Sequence, residues 1–231
     1  MRWFFFVYIC CIHLFAEGPL VFYHIPKTAG THLDQLLRAK FPPKKTLHAF
    51  YYQIEQLSWE NICSYDYLQG HFFFSSQLSQ IPHARNITFL RDPVERVLSA
   101  QRYFLSSFQH DPNTLYKNFC LPPGPPIETI ANQACLFLSS FSRSDPTVTI
   151  EMHLESAKQN LRDRFFFIGF VDDMEGSIRS LFTLLGWGVP DAISKINVSR
   201  IQSFPVSEAT LQKIREKNWA DIELYRFAKT L

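Results

Sequence analysis

Lys27, Thr28, Gly30, Thr31 and His32 fall inside one stretch, "VFYHIPKTAGTHLDQLL", residues 21–37. A mobile cation, two hydroxyls, an imidazole and a glycine crowded between an apolar run and an amphipathic one are the residue types that hold a phosphate. The pattern predicts strand, tight loop and helix, and a helix N-terminus offers unpaired backbone N–H groups to an anion. Pro26 stiffens the approach to the loop. Gly30 removes a side chain where the backbone must come close, and Thr31 is expected to cap the helix with Asp34 completing a Thr31-x-x-Asp34 box. The loop for ATP or GTP needs GxxxxGK[ST], with lysine and hydroxyl adjacent at the helix start. Here Lys27 stands ahead of Gly30 and no GK[ST] follows, which disfavours a nucleoside triphosphatase or an ordinary kinase. The dinucleotide pattern GxGxxG is also absent. A loop for another phosphorylated ligand and a plain turn with a surface lysine both remain open.

A second stretch, "FLRDPVERVLSAQRYF", residues 89–104, places Arg91 at the end of a strand and Ser99 about two turns into the helix that follows. A long guanidinium can reach forward to share one phosphate with that hydroxyl. Pairing of Arg91 with Asp92 or Glu95, and Ser99 as a solvated helix residue, is the competing account. Asp92 suits the N-cap, Pro93 the first helical position, and Glu95 the third position of a capping box.

These residues resemble a known family. "IPKTAGTH" is similar to the 5′-phosphosulfate loop, and "FLRDPVERVLSAQRYF" to the 3′-phosphate motif, of sulfotransferases that use 3′-phosphoadenosine-5′-phosphosulfate (PAPS). In form and order they are most like the glycan-directed group containing the heparan sulfate 2-O- and 6-O-sulfotransferases. "FFFIGFVDDMEGSIRSLFTLLG" resembles a late strand-helix segment of that group, so the likeness spans residues 20–186, with a fainter echo in "LYRFAK".

The resemblance implies in-line transfer of a sulfuryl group from PAPS, the donor co-substrate, to an acceptor hydroxyl of a carbohydrate, without a metal. Carried over residue by residue, it puts Lys27 at the leaving phosphate oxygen. Thr28, Gly30, Thr31 and His32 would line the 5′ end, and Arg91 with Ser99 would hold the 3′-phosphate. It makes His71, in "LQGHF", the general base, with His24 and His48 as alternatives, and brings Arg200 of "NVSRIQ" to the nucleotide from a C-terminal loop. An inactive module that binds the 3′-phosphoadenosine nucleotide is the second reading, and a P-loop kinase the third.

The elements that must position these residues alternate. "LVFYHI", a helix over Thr31–Lys40, "TLHAF", a helix in "YYQIEQLSW", a strand at "DYLQGHFFF" and the strand "NITFLR" precede the helix opened by Asp92. Helical patterns follow near 127–141 and 150–162, then the strand "FFFIGF" and a helix in which Met174, Ile178, Leu181 and Leu185 share a face, with Gly186 as C-terminal cap. One or two amphipathic helices end the chain. This is an α/β order, and with the resemblance it implies a P-loop-like (Rossmann-like) parallel sheet flanked by helices, in one domain over residues 17–231. Residues 109–126, with "LPPGPP", are expected to form a surface insertion.

At 231 residues, 46% hydrophobic and 19% charged, the chain can bury a large core, and its 23 phenylalanines, many in runs such as "FFFV", "FFFSS" and "FFFIG", suggest interior strands. A net charge of +2 gives no argument for nucleic acid. Arg38, Lys40, Lys44, Lys45, Arg96 and Arg102 either line a cleft for an acidic glycan or form solvated faces. The five cysteines lack paired metal-ligand spacing; buried thiols, or one disulfide among Cys63, Cys120 and Cys135, fit them. Residues 1–16 read as a signal-like or anchor-like hydrophobic segment, with membrane association through 3–15, or as an extra buried strand. This segment and the resemblance together favour a Golgi or secretory setting, with a cytoplasmic one left open. Of the triplets at Asn86 and Asn197, only Asn197 is expected to be open to glycosylation, since Asn86 enters a strand.

Overall fold

The computed structural model describes residues 18–108, 127–190 and 206–231, with the backbone alone for 105–108. The hydrophobic segment of 1–16, the insertion of 109–126, Cys120, Asn197 and Arg200 lie outside the described residues.

Five strands, β1 (Leu20–Tyr23), β2 (Thr46–Phe50), β3 (Tyr67–His71), β4 (Arg85–Leu90) and β5 (Phe165–Phe170), form one sheet in the order β2-β3-β1-β4-β5. Every pairing is parallel. A parallel sheet needs crossover connections, and helices supplying them cover both faces, so the central strand is apolar along its whole length. All four residues of β1 are buried.

The side chains of β1 alternate between two layers. Leu20 and Phe22 pack with Leu33 and Leu37 of α1 (Gly30–Arg38) and with Ile178, Leu181 and Phe182 of α8 (Met174–Leu184). Val21 and Tyr23 face α6 (Gln133–Leu138), α7 (Ile150–Asp163) and α10 (Trp219–Ala228). Leu33 and Leu37 stand one turn apart on α1, and burying each stabilises the chain by about 1.5–3 kcal/mol relative to exposure.

In sequence, α2 (Tyr51–Ile54) and α3 (Trp59–Cys63) join β2 to β3, with Ile54 and Ile62 packed in the layer of Val21 and Tyr23, and α4 (Pro93–Phe108) follows β4. The α4 helix packs on α5 (Ile127–Ile130) and α9 (Glu208–Lys217) through Val97, Leu98, Ile127 and Ile214.

Several boundaries follow their local chemistry. Asp92 accepts from the Glu95 backbone N–H at 3.0 Å, which is the N-cap bond expected for α4. Asp173 does the same for Gly176 in α8 at 3.2 Å. That helix ends with Gly186 at φ 67°, its N–H on Thr183 and the Trp187 N–H on the Phe182 carbonyl, while Trp187 packs against the Phe182 ring. This is the Schellman arrangement with its hydrophobic contact.

Other expectations are corrected. The helix of "YYQIEQLSW" divides, because Ser58 caps a new one by accepting from Asn61. The pattern over 127–141 divides at Asn132, which sits at φ 49°. "FFFSS" lies beyond the end of β3: Phe72 and Phe74 are buried in the core but outside any strand. "FFFIG" makes an edge strand, where the register shift opposite Asn86 and Ile87 leaves Phe166 41% exposed. Asn86 is buried and donates to the Arg164 carbonyl, in keeping with its exclusion as a glycosylation site. Cys63 is exposed and Cys135 buried, both as free thiols.

Candidate active site

In this strand order the chain grows from β1 toward β3 and β2 on one side and then crosses to β4 on the other. Crevices at such switch points, beyond the carboxyl ends of the strands, are where open α/β sheets bind ligands. The two segments singled out in the sequence emerge there: the loop Ile25–Ala29 from β1, and Arg91 from β4. The Arg91 Nη1 donates to the Lys27 carbonyl at 3.4 Å, so segments distant in sequence meet at the crevice.

The loop is built differently from its expected form. Lys27 (φ 72°) and Ala29 (φ 59°) both hold left-handed backbone, although neither is glycine. Such residues cost of order 1 kcal/mol or more each and persist where the surroundings impose them. Thr28, 1% exposed, donates its hydroxyl to the Ile25 carbonyl at 2.8 Å and ties the loop to its own base. Gly30 serves His24: a Cβ at position 30 would lie 2.1 Å from His24 Nε2.

The start of α1 also departs from expectation. Its N-cap is Ala29, with no side-chain cap bond, and Thr31 is exposed in the first turn. Asp34 does not complete a box with Thr31; buried, it accepts from the Tyr67 hydroxyl at 3.0 Å and from Arg38 at 2.6 Å. The first N–H groups of α1 thus carry no side-chain cap, the condition in which a helix start can receive an anion. His32 is 4% exposed, and neither ring nitrogen has a partner among the described residues. Burial holds its pKa below the ordinary histidine value, so it is a neutral imidazole with unused hydrogen-bonding capacity.

Four charges gather around the crevice. The Lys27 Nζ lies 3.9 Å from the centre of the Tyr103 ring. Burial, then the neighbouring Arg91 and Arg102, lower the Lys27 pKa. Glu95 Oε2 stands 3.6 Å from Arg91 and 3.5 Å from Arg102. The reciprocal half of the expected capping box is therefore replaced by an ion-pair bridge, because the two guanidiniums draw the Glu95 carboxylate along the helix. Ser99 lies on α4, partly buried, in the strip between Glu95 and Arg102.

The three candidate histidines have separate environments. His71, at the end of β3, donates from Nδ1 to the His24 carbonyl at 2.7 Å, and their rings lie 4.5 Å apart. Burial lowers the His71 pKa, partly offset by that bond, while His48 and Lys27 lower it further. Under the loop, the His24 Nδ1 meets the Gln69 amide at 3.2 Å. Burial, with His71, His48 and Lys27, pushes its pKa down to about 3. His48 is exposed on β2, 3.2 Å from Arg38 and 3.8 Å from Asp34.

Beside His71 lies an aromatic shelf. Phe50, opposite His71 in the β2–β3 register, has its ring 5.7 Å from the imidazole. The Phe50 and Tyr52 rings are parallel within 3°, and both are more than two-fifths exposed.

Arg96 leaves the group of possible cleft residues. At 2% exposed it donates to Gln133 at 2.9 Å and to the Ile130 carbonyl, and its Nε lies 3.9 Å from Asp221. Of the other basic candidates, Arg38 is held by Asp34, and Lys45 by the Ser64 carbonyl at 2.8 Å. Sequence reasoning named Glu95 as a competing partner of Arg91, and the structure shows that pairing; it missed that Glu95 also meets Arg102, that Tyr103 neighbours Lys27, and the part played by Asp221. The first two had a signal: Glu95, Ser99, Arg102 and Tyr103 follow one another at helical spacings on α4. Among the described residues, no three His, Cys, Asp or Glu side chains are grouped to hold a metal, and no helix is long and apolar enough to cross a membrane.

No family model and no curated protein matches this chain. Among solved structures, it is similar to mouse sulfotransferase SULT7A1 complexed with PAP, at 16% identity and a TM-score of 0.43 over 90% of this chain and 66% of that one. It is also similar to a sulfotransferase from Alicyclobacillus acidocaldarius, at 12% identity and a TM-score of 0.48 over 90% of this chain and 94% of that one. At these values the likeness assigns no residue and no substrate to this chain.

Proposed function

We propose that this chain is a sulfotransferase that moves a sulfuryl group from PAPS to a hydroxyl of a carbohydrate, in the manner of the glycan-directed enzymes its motifs resemble. The observation that carries the reading is the meeting of the two motifs at the β1–β4 crevice, with Arg91 Nη1 on the Lys27 carbonyl at 3.4 Å. A single-phosphate loop would not require the second motif, whereas a nucleotide phosphorylated at both 5′ and 3′ positions does.

In this reading Lys27 and the uncapped first turn of α1 face the 5′ end, and Arg91 and Ser99 hold the 3′-phosphate. As the bond from sulfur to the acceptor oxygen forms and the bond to the phosphate oxygen breaks, Lys27 neutralises the charge appearing on the departing oxygen. Its lowered pKa and flexible stem suit that role. His71 takes the acceptor proton on Nε2, since Nδ1 is already committed to the His24 carbonyl. Thr28 ties the loop to its own base through the Ile25 carbonyl, and His32 keeps its unused hydrogen-bonding capacity for the 5′ end.

The aromatic shelf supports a carbohydrate acceptor. Parallel exposed rings at Phe50 and Tyr52 give the apolar face of a sugar ring a surface beside the base. Such an acceptor agrees with a secretory or Golgi setting.

Purified protein incubated with labelled PAPS and a panel of glycans should transfer label. Lys27→Ala is expected to lower the rate about 10²–10³-fold, as removal of one oxyanion donor does. His71→Ala should lower it about 10²–10⁴-fold. Transfer that survives both changes would remove this mechanism. Calorimetric binding of 3′-phosphoadenosine-5′-phosphate without transfer to any glycan would favour an inactive binding module, and competition by ATP over that nucleotide would favour a kinase.

A further inference from the structure

We propose that Arg102 is a third cation of the nucleotide-phosphate site, and that Glu95 is a built-in counter-ion which a ligand phosphate displaces. The proposal rests on the functional reading above and deepens it. Arg91, Glu95, Ser99 and Arg102 follow at intervals of four, four and three residues from the end of β4 along α4, so they form one strip. One oxygen of Glu95 bridges both guanidiniums, at 3.6 Å and 3.5 Å. Neither contact has the short, two-oxygen geometry of a strong arginine–carboxylate pair.

The two arginines are largely shielded, at 23% and 15% side-chain exposure, while Glu95 is 51% exposed. The carboxylate is the solvated and easily exchanged member of the group. Arg91 reaches the Lys27 backbone carbonyl, and the charges of Arg91 and Arg102 both act on Lys27, so three cations are coupled at the crevice, while Glu95 bridges two of them and Asp92 acts on Arg91. A ligand with two phosphate groups supplies the missing negative charge, and a tetrahedral phosphate can accept from both guanidiniums and from Ser99 together. Glu95 is not needed to start the helix, because Asp92 already caps the Glu95 backbone N–H. Its negative charge in the site therefore has a cost to anion binding that no structural duty of the side chain requires.

The test is calorimetric titration of the full chain with 3′-phosphoadenosine-5′-phosphate and, separately, with inorganic pyrophosphate, at low and high salt. Glu95→Gln should bind both anions about three- to tenfold more tightly than wild type at low salt, with the advantage shrinking at high salt as screening grows. Arg102→Gln should bind both about tenfold more weakly. Thermal melts of each variant establish that it is folded. Unchanged or weaker anion binding by Glu95→Gln overturns the counter-ion role. Unchanged anion binding by Arg102→Gln, with a raised acceptor KM, overturns the third-cation role and returns Arg102 to the acceptor cleft. If wild type prefers pyrophosphate and ignores the 3′-phosphorylated nucleotide while both variants shift as stated, the sulfotransferase reading fails and the ion exchange stands.

Discussion

The His71 imidazole is anchored to the backbone of His24 through an Nδ1–H donated to the carbonyl oxygen at 2.7 Å. A carbonyl only accepts, so the ring proton resides on Nδ1 and the lone pair on Nε2. The arrangement converts a histidine into a base of defined direction. Its pKa lies below the ordinary value of 6.5, chiefly through burial. A base works in its neutral form, so kcat/KM should rise with pH through a midpoint below 6.5 and stay level through neutrality. The measurement is the pH profile of sulfuryl transfer at low acceptor concentration. A profile that falls on going from pH 6 to 8 would assign the base elsewhere.

His24 gives the fold itself a pH dependence. Its pKa is about 3 in the folded chain, with burial the largest cause, against the ordinary 6.5 expected when unfolded. Between these values the unfolded chain binds the proton and the folded chain does not, so unfolding becomes easier as pH falls. One such group contributes a slope of about 1.4 kcal/mol per pH unit. Its stability is fully present above pH 6.5 and is lost as pH falls toward 3. Urea melts from pH 7 to pH 4 should show the slope, and His24→Gln should flatten it. An equal slope in the variant would show that other groups dominate.

The parts legible in the sequence were those whose cause is local. β1 could be read from "LVFY" because burial on both faces makes the strand continuously apolar, and α4 because Asp92 and Pro93 mark its start. The loop was legible in residue type but not in shape. Left-handed backbone at Lys27 and Ala29 has no signature when the residues are neither glycine nor asparagine, and Gly30 drew attention that belonged to its neighbour His24. Arg96 read as either a cleft cation or a solvated one, and not as a buried ion-pair member, because its partner, Asp221, lies on the last helix. No spacing rule joins two residues that meet only after the chain has folded. Phe166 resembled a core residue until the register shift turned it outward.

The buried pair of Arg96 and Asp221 should matter to stability more than to chemistry. Asp221 also accepts from the backbone N–H groups of Ala134 at 3.0 Å and Cys135 at 2.9 Å, so it holds the start of α6 against α10. Removing one member leaves the other charged, buried and unpaired, which costs about 3–5 kcal/mol. Asp221→Ala is therefore expected to lose that amount in urea unfolding. A loss below about 1 kcal/mol would mean that the pair is more hydrated than its 2% and 1% exposures imply.

Gly30→Ala tests whether the loop and the base are mechanically linked. The added methyl group would stand 2.1 Å from His24 Nε2 and 2.2 Å from Cδ2, well inside contact distance. The His24 ring has little room to retreat: Phe22 stacks on it at 5.4 Å, Gln69 holds Nδ1, and His71 lies 4.5 Å away. Overpacking of this kind costs about 1–3 kcal/mol. Because the His24 carbonyl also orients His71, the strain should reach the base as well as the phosphate loop. We expect a lower melting temperature, weaker binding of 3′-phosphoadenosine-5′-phosphate, and a fall in kcat that persists at saturating donor. If kcat recovers fully at saturating donor, the glycine serves the loop alone, and the link from His24 to His71 carries no catalytic consequence.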